Sequence, residues 1–287
     1  TSVDDLQMAV NGVYQMMSLD RGGHASDYGL YADCKGGDVR WINTSGHIVP
    51  LMDYSVTEND GLAINIYFAI NEPIAFANMA MEGAVALGME TPGVAELYAE
   101  LRAARAMLHF DAARLYSRMP TQNGVVMTAE NSGVVKIDKV YPPATKFKRS
   151  TLQETYDYII KELEEAIPTM TTDKKLGGMN AWAAKLILAR AYLYTGQNDK
   201  AYTTAVDVIS NSPYDLFTYS NYVYAWRAEG SDEFIFEIRT SDNTANSPQR
   251  NSLGYYTNPT GYAEVGVNDN AAFTNNVKGA FDALDDN

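Results

Sequence analysis

The sequence is short of the residues from which catalytic and metal centres are usually built. Cys34 is its one cysteine, which excludes an internal disulfide, a Cys-rich zinc site and a CxxC redox pair. It has three histidines, His24, His47 and His109, set far apart and outside any HExxH arrangement, so a histidine-based metal site is not expected. No GxSxG offers an exposed serine nucleophile. No glycine run matches GxGxxG or GxxxxGK(S/T), so a nucleotide-binding loop is not expected either. Asp269, Asp282, Asp285 and Asp286 do not have the spacing of an EF-hand calcium loop and read as solvated acids. Basic residues are few, 22 against 36 acidic ones, and the net charge of -14 would repel a phosphate backbone, which argues against nucleic acid as a partner. No apolar run approaches the roughly 20 residues of a membrane-spanning helix.

What is present is a chain able to bury a core. Hydrophobic residues make up 46% and charged residues 20% of the 287, enough for one large domain or two small ones at roughly 150 residues each. Tyrosine is abundant, 20 against 9 phenylalanines. Its ring is apolar and its tip polar, which suits half-exposed helix packing and also surfaces that face a sugar.

Apolar spacing predicts mainly helix. Leu6, Val10, Val13 and Met17 mark a first helix, with Asp4 and Asp5 at its start. Residues 21–50, rich in glycine and polar residues, read as a long loop. Loops of that length are often functional. A second helix is expected over about 62–88, kinked or restarted at Pro73, and a third from near Val94 to Pro120. A loop is expected over 121–149. Ser150 with Gln153, or Thr151 with Glu154, fits a capping box, opening a fourth helix that Pro168 ends. Residues 180–213 resemble a tetratricopeptide repeat. In that pattern Leu188, Ala189 and Tyr192 pack from the first helix, Gly196 makes the turn, and Ala201, Ala205 and Val208 line the second; Lys185 stands where a tryptophan is usual. The composition then changes, giving a helical body over 1–213 and a loop-rich region over 214–287. Within the latter DEFIFEIRT, at 232–240, reads as a short strand and AAFTNNVKGAFDAL as a weak closing helix.

In the first loop, Asp38, Arg40, Trp41 and Asn43, with Tyr54 beyond, form the best binding candidate. An aromatic face beside hydrogen-bonding side chains matches the apolar face and polar edge of a sugar ring; the competing reading is that Trp41 simply anchors the long loop to the body. A pair of carboxylates can cleave a glycosidic bond, but with 36 acids some pair always looks suitable and the sequence picks out none.

The third helix, LRAARAMLHFDAARLYSRMP, carries a family resemblance. Glu100, Arg105, Ala106, Phe110, Leu115, Tyr116 and Pro120 match a pattern of SusD/RagB-type nutrient-binding lipoproteins of the Bacteroidetes outer membrane, with departures at Ala104, His109, Ser117 and Met119. NGVY in the first helix, ETYDYIIKELEEAIP in the fourth, the repeat at 181–209 and EFIFEIRTS follow in the family's order. The resemblance implies a mainly α fold, a superhelical body of tetratricopeptide-like units with irregular loops. It also implies a non-catalytic surface protein that binds glycans or peptides and partners a SusC-like TonB-dependent transporter; no cofactor is expected. Such proteins are held by a lipidated cysteine; Cys34 lies too far inside to serve, so Thr1 is expected downstream of an anchor. AFDALDDN resembles the point where many members continue into a C-terminal subdomain. Competing expectations are a peptide-binding tetratricopeptide scaffold and a helical glycoside hydrolase.

A helical wheel at about 100° per residue places Asp111, Arg114 and Arg118 on one face, expected to be solvated. Arg102, Arg105 and His109 fall between apolar arcs. Arg105 is expected to be a buried, paired structural residue, with Phe110, Tyr116, Pro120, Tyr192, Gly196 and Ala201 as further parts of the frame.

Overall fold

In the computed structural model, which describes residues 2–18, 22–24, 26–36, 39–42, 46–239, 252–258 and 260–267, helices carry nearly all the regular structure. In chain order they are α1 (Val3–Met17), α2 (Asp27–Gly36), α3 (Val49–Met52), α4 (Gly61–Leu87), α5 (Val94–Tyr116), α6 (Leu152–Ala166), α7 (Ala181–Tyr194), α8 (Asn198–Asn211), α9 (Tyr222–Ala225) and α10 (Leu253–Thr257). Two short strands, β1 (Val39–Trp41) and β2 (Val265–Val267), complete the set among the described residues. The described residues form two compact units, one within Thr1–Met16 and Ile70–Arg239, the other within Met17–Ala69 and Thr240–Asn287.

The first unit is a stack of helices. α6 starts where its capping box dictates: Thr151 Oγ1 accepts from Glu154 N while the Glu154 side chain accepts from Thr151 N. Its apolar stripe, Leu152, Tyr156, Ile159, Ile160 and Leu163, is wholly buried, worth roughly 1.5–3 kcal/mol per large side chain. Ile167–Thr169 tightens into a 3-10 turn at Pro168. Asn180 caps α7, its Oδ1 accepting from Trp182 N and Ala183 N. α7 and α8 then form the tetratricopeptide-like pair, and the small residues Ala184, Ala191 and Ala201 are buried between their neighbours. Gly196 makes the turn at φ 74°, and Tyr192 is buried with its hydroxyl donating to Glu164 at 2.5 Å. α4 runs through Pro73 without a restart.

In the second unit α2, α3, β1, α10 and β2 surround a small core of Leu30, Cys34, Ile48, Leu51, Tyr256 and Val265. The stretch over 21–50, expected as one loop, thus holds α2, β1 and the start of α3. α2 shows only Leu30 and Cys34 as an apolar stripe, and it is packing on the core that stabilises it. The expected strand at 232–240 does not form over its described part, 232–239. Its apolar alternation is real, but among the described residues no strand pairs with it, and Phe234 and Phe236 pack on Trp226 and Tyr14 instead. The expected closing helix lies outside the described residues.

A candidate ligand-binding surface

The polar side chains of α5 belong to the frame. Arg105 is 5% exposed. Its Nη1 donates to Asn78 Oδ1 at 2.5 Å and to Asp138 O at 2.7 Å, and its Nη2 pairs with Glu162. Asn78 in turn donates to the carbonyls of Ile137 and Lys139, both at 3.1 Å. His109 completes the attachment: its Nδ1 donates to Arg105 O at 2.8 Å and its Nε2 accepts from Ile137 N at 3.1 Å. Segment 136–139 has no ladder of its own, so its backbone groups need partners from elsewhere; α4 and α5 supply them. Burial alone would raise the Glu162 carboxyl, but hydrogen bonds and charge from Arg102 and Arg105 outweigh it and hold the group below its ordinary range. Glu100 is closed off in the same way, accepting from the Tyr14 hydroxyl at 2.8 Å and Met179 N at 3.1 Å and pairing with Lys175. Burial, then the adjacent Glu100 charge, holds the Tyr14 hydroxyl proton far more tightly than usual.

Phe110 is buried edge-on to Tyr156 and Tyr194, 6.0 and 5.2 Å between centroids. Pro120 is buried just past the helix; Tyr116 is half-buried, its carbonyl accepting from Arg149. One expectation for α5 fails. Asp111 is not solvated but 4% exposed, paired with Arg114 across one turn at 2.5 Å. The apolar arcs on both sides of the wheel leave no open face there, whereas Arg118, past the helix end, is exposed.

The candidate binding residues lie in the second unit. β1 pairs antiparallel with β2, Arg40 opposite Gly266 and Trp41 opposite Val265, and Ile42 N donates to Glu264 O at 2.7 Å. Arg40 and Trp41 therefore stand on a backbone fixed by a ladder rather than on a free loop. Asp38 and Asn43 lie outside the described residues. The return from β1 is fastened by the buried Glu264, whose carboxylate accepts the backbone N–H and the Nδ1 of His47, each at 2.8 Å. Gly46 lies against that carboxylate, leaving no room for a side chain. The His47 ring stacks obliquely on Tyr262 at 4.6 Å, and Tyr262 meets Tyr255 at 4.7 Å. Tyr54 is 67% exposed at φ 58°, its hydroxyl donating to Lys35 O at 2.5 Å. Held by its tip at an exposed position, the Tyr54 ring stays open to solvent.

A second aromatic surface, in the first unit, was missed by the sequence reading. Trp226 packs edge-on against Phe217 and Phe234 at 6.2 and 5.2 Å yet is 62% exposed, beside the exposed Tyr219, Tyr222 and Tyr224. The signal available was the tyrosine density after residue 213. Among the described residues no group of three His, Cys, Asp or Glu side chains is placed to hold a metal ion.

Residues 6–193 match the sequence profile of a SusD-like family described as starch-binding and associating with the outer membrane. Among solved structures, the chain is similar to a SusD superfamily protein of Bacteroides thetaiotaomicron, with a TM-score of 0.87 and 24% identity over 97% of this chain and 62% of that one. It is similar to another from Bacteroides vulgatus, with a TM-score of 0.85 and 30% identity over 96% and 62%. A third likeness is to a SusD-like carbohydrate binding protein from Bacteroides vulgatus, with a TM-score of 0.76 and 18% identity over 93% and 57%. The chain therefore spans at most 62% of the length of these relatives. No curated protein matches the sequence.

Proposed function

The chain belongs to the SusD-like family, and from that premise we propose that it captures glycans at the outer membrane without cleaving them and hands them to a SusC-like TonB-dependent transporter. The observation that carries this reading is the family match over residues 6–193, whose description is starch-binding. The surface geometry supports it: exposed aromatic rings beside hydrogen-bonding groups suit a sugar's apolar face and polar rim. The acids on α5 and α6 support the non-catalytic part. Glu100 and Glu162 are buried and engaged by cations, so neither is free to shuttle a proton.

We place the ligand on the β1–α3 segment, with Arg40, Trp41 and Tyr54 as contacts and Asp38 and Asn43 beside them. The test is affinity electrophoresis over a panel of polysaccharides, starch included. Trp41→Ala is expected to weaken retention with little change in melting temperature. A clear fall in melting temperature would make Trp41 an anchor instead. Loss of retention in Trp226→Ala alone would move the site to the first unit, and no retention by any glycan would end the reading. Co-purification of the native protein with a TonB-dependent transporter tests the partner.

A further inference from the structure

Past the end of α5 the first unit contains a cleft of about 590 Å³, walled in part by Tyr116 and Leu152 of the frame. The volume suits a small ligand such as a short oligosaccharide, since ligand pockets run to roughly 300–1,000 Å³. Its lining includes Arg118, Arg149, Asn131, Ser132, Val126 and Leu152. Two cations and no acid line it, which is unusual on a chain of net charge -14.

The wall is built before any ligand arrives. Gly133 N donates to Ser150 O and Ser150 N to Val134 O, at 2.8 and 2.9 Å, and Ala129 N donates to Val126 O at 3.1 Å. The start of α6 is closed as well. Leu152 N donates to Ser132 Oγ and Gln153 N to Met127 O, both at 2.9 Å, and Glu154 N to Thr151 Oγ1 at 3.1 Å. With those N–H groups engaged, the helix end offers an anion little, and the arginines carry the recognition. Arg149 is oriented by its own bonds, Nε to Gly133 O at 2.7 Å and Nη2 to Tyr116 O. Arg118 has no hydrogen bond or ion pair among the described residues. The nearest acids in sequence are Glu130, which is not part of the lining, and Glu154, which is committed to the cap.

The Ser132 hydroxyl is spent within the wall, donating to Ala129 O and accepting from Leu152 N, so a fixed guanidinium and an unpaired one, beside an amide and apolar side chains, form a receptor for a ring that carries hydroxyls and a negative group. We propose that this cleft binds an acidic sugar unit, carboxylated or sulfated, of the captured glycan. The inference rests on the glycan-capture reading and names a substrate class for it.

Titration calorimetry on the whole chain tests it with three probes of equal length: a galacturonic acid trisaccharide, a sulfated galactose trisaccharide and a neutral galactose trisaccharide. At least one acidic probe is expected to bind more tightly than the neutral one. That affinity should fall about tenfold or more in Arg118→Gln, as for the loss of a charge-assisted hydrogen bond, and should weaken with added salt. Which acidic probe binds separates carboxylate from sulfate. Arg149→Lys, which keeps the charge and loses the fork, should fall too, with melting curves confirming the fold. Equal binding of acidic and neutral probes overturns the inference, as does an affinity unchanged in Arg118→Gln. Retention of neutral glycans with no binding of either acidic probe would overturn this inference alone. Failure of every glycan, neutral or acidic, would remove the capture reading as well.

Discussion

His109 is wholly buried in α5 with both ring nitrogens engaged, one donating to a carbonyl and one accepting from an N–H. That pairing requires the neutral imidazole. Burial, with the Arg105 charge working in the same direction, pushes its pKa from 6.5 down to about 4. Between those two values the unfolded chain takes up a proton that the folded one refuses. Stability is therefore full above pH 6.5 and falls as the pH drops towards 4, by about 3 kcal/mol in all at 1.36 kcal/mol per unit. Glu162, depressed below its ordinary 4.5, withdraws its own contribution only as the pH falls below that value, so from pH 7.5 to 5 the His109 loss stands apart from it. Urea unfolding at pH 7.5, 6 and 5 is expected to show the loss in the parent chain, and His109→Gln is expected to flatten it. An equal slope in both would show that His109 does not carry it.

At the scale of elements, the turn between α7 and α8 depends on one residue. Gly196 has φ 74°, the left-handed region that costs a side-chain-bearing residue roughly 1–2 kcal/mol. A Cβ there would meet Thr121 Cγ2 at an ordinary 3.6 Å, so the penalty is backbone strain and not a clash. Gly196→Ala is expected to lower unfolding stability by about that amount, measured by chemical denaturation; no loss would mean the turn relaxes. Elements of this kind are legible in sequence because their signals are local. The capping box at Thr151, the apolar stripe of α6 and the glycine between two helical periods each act within a few residues. α2 and the β1–β2 pair are not legible in that way. α2 depends on a core assembled from Ile48, Tyr256 and Val265, and β1 on a partner more than 200 residues away.

For the whole molecule, a binding role and a cleaving role make different demands on acids. A hydrolase needs two carboxylates facing one bond across open space, whereas Glu100, Glu162 and Glu264 are each buried in a bond to another part of the frame. Under the proposed capture role, prolonged incubation with starch is expected to release no reducing ends, as measured by a reducing-sugar assay; released oligosaccharide would sink the non-catalytic reading. The candidate site was partly legible at this scale. Trp41 and its neighbours stood out by residue type in the loop reading, and the structure sets Arg40 and Trp41 on a strand. The Trp226 surface and the cleft at Arg118 did not stand out, because each gathers residues from segments that show no periodicity.

By itself the sequence determined the helical body, the starts of α4, α5 and α6, the tetratricopeptide-like pair and the family. These follow from apolar spacing, caps and turn residues, which act over one or two helical turns. Tertiary structure alone decided the rest. It turned the polar residues of α5 into fasteners for segment 136–139, buried Asp111 where the wheel suggested solvent, left 232–239 without a strand partner among the described residues, and converted a glycine-rich loop into a paired segment. In each case the deciding quantity is whether a polar group or an extended backbone finds its partner. That depends on which distant segments fold against it, and no short stretch of sequence records it.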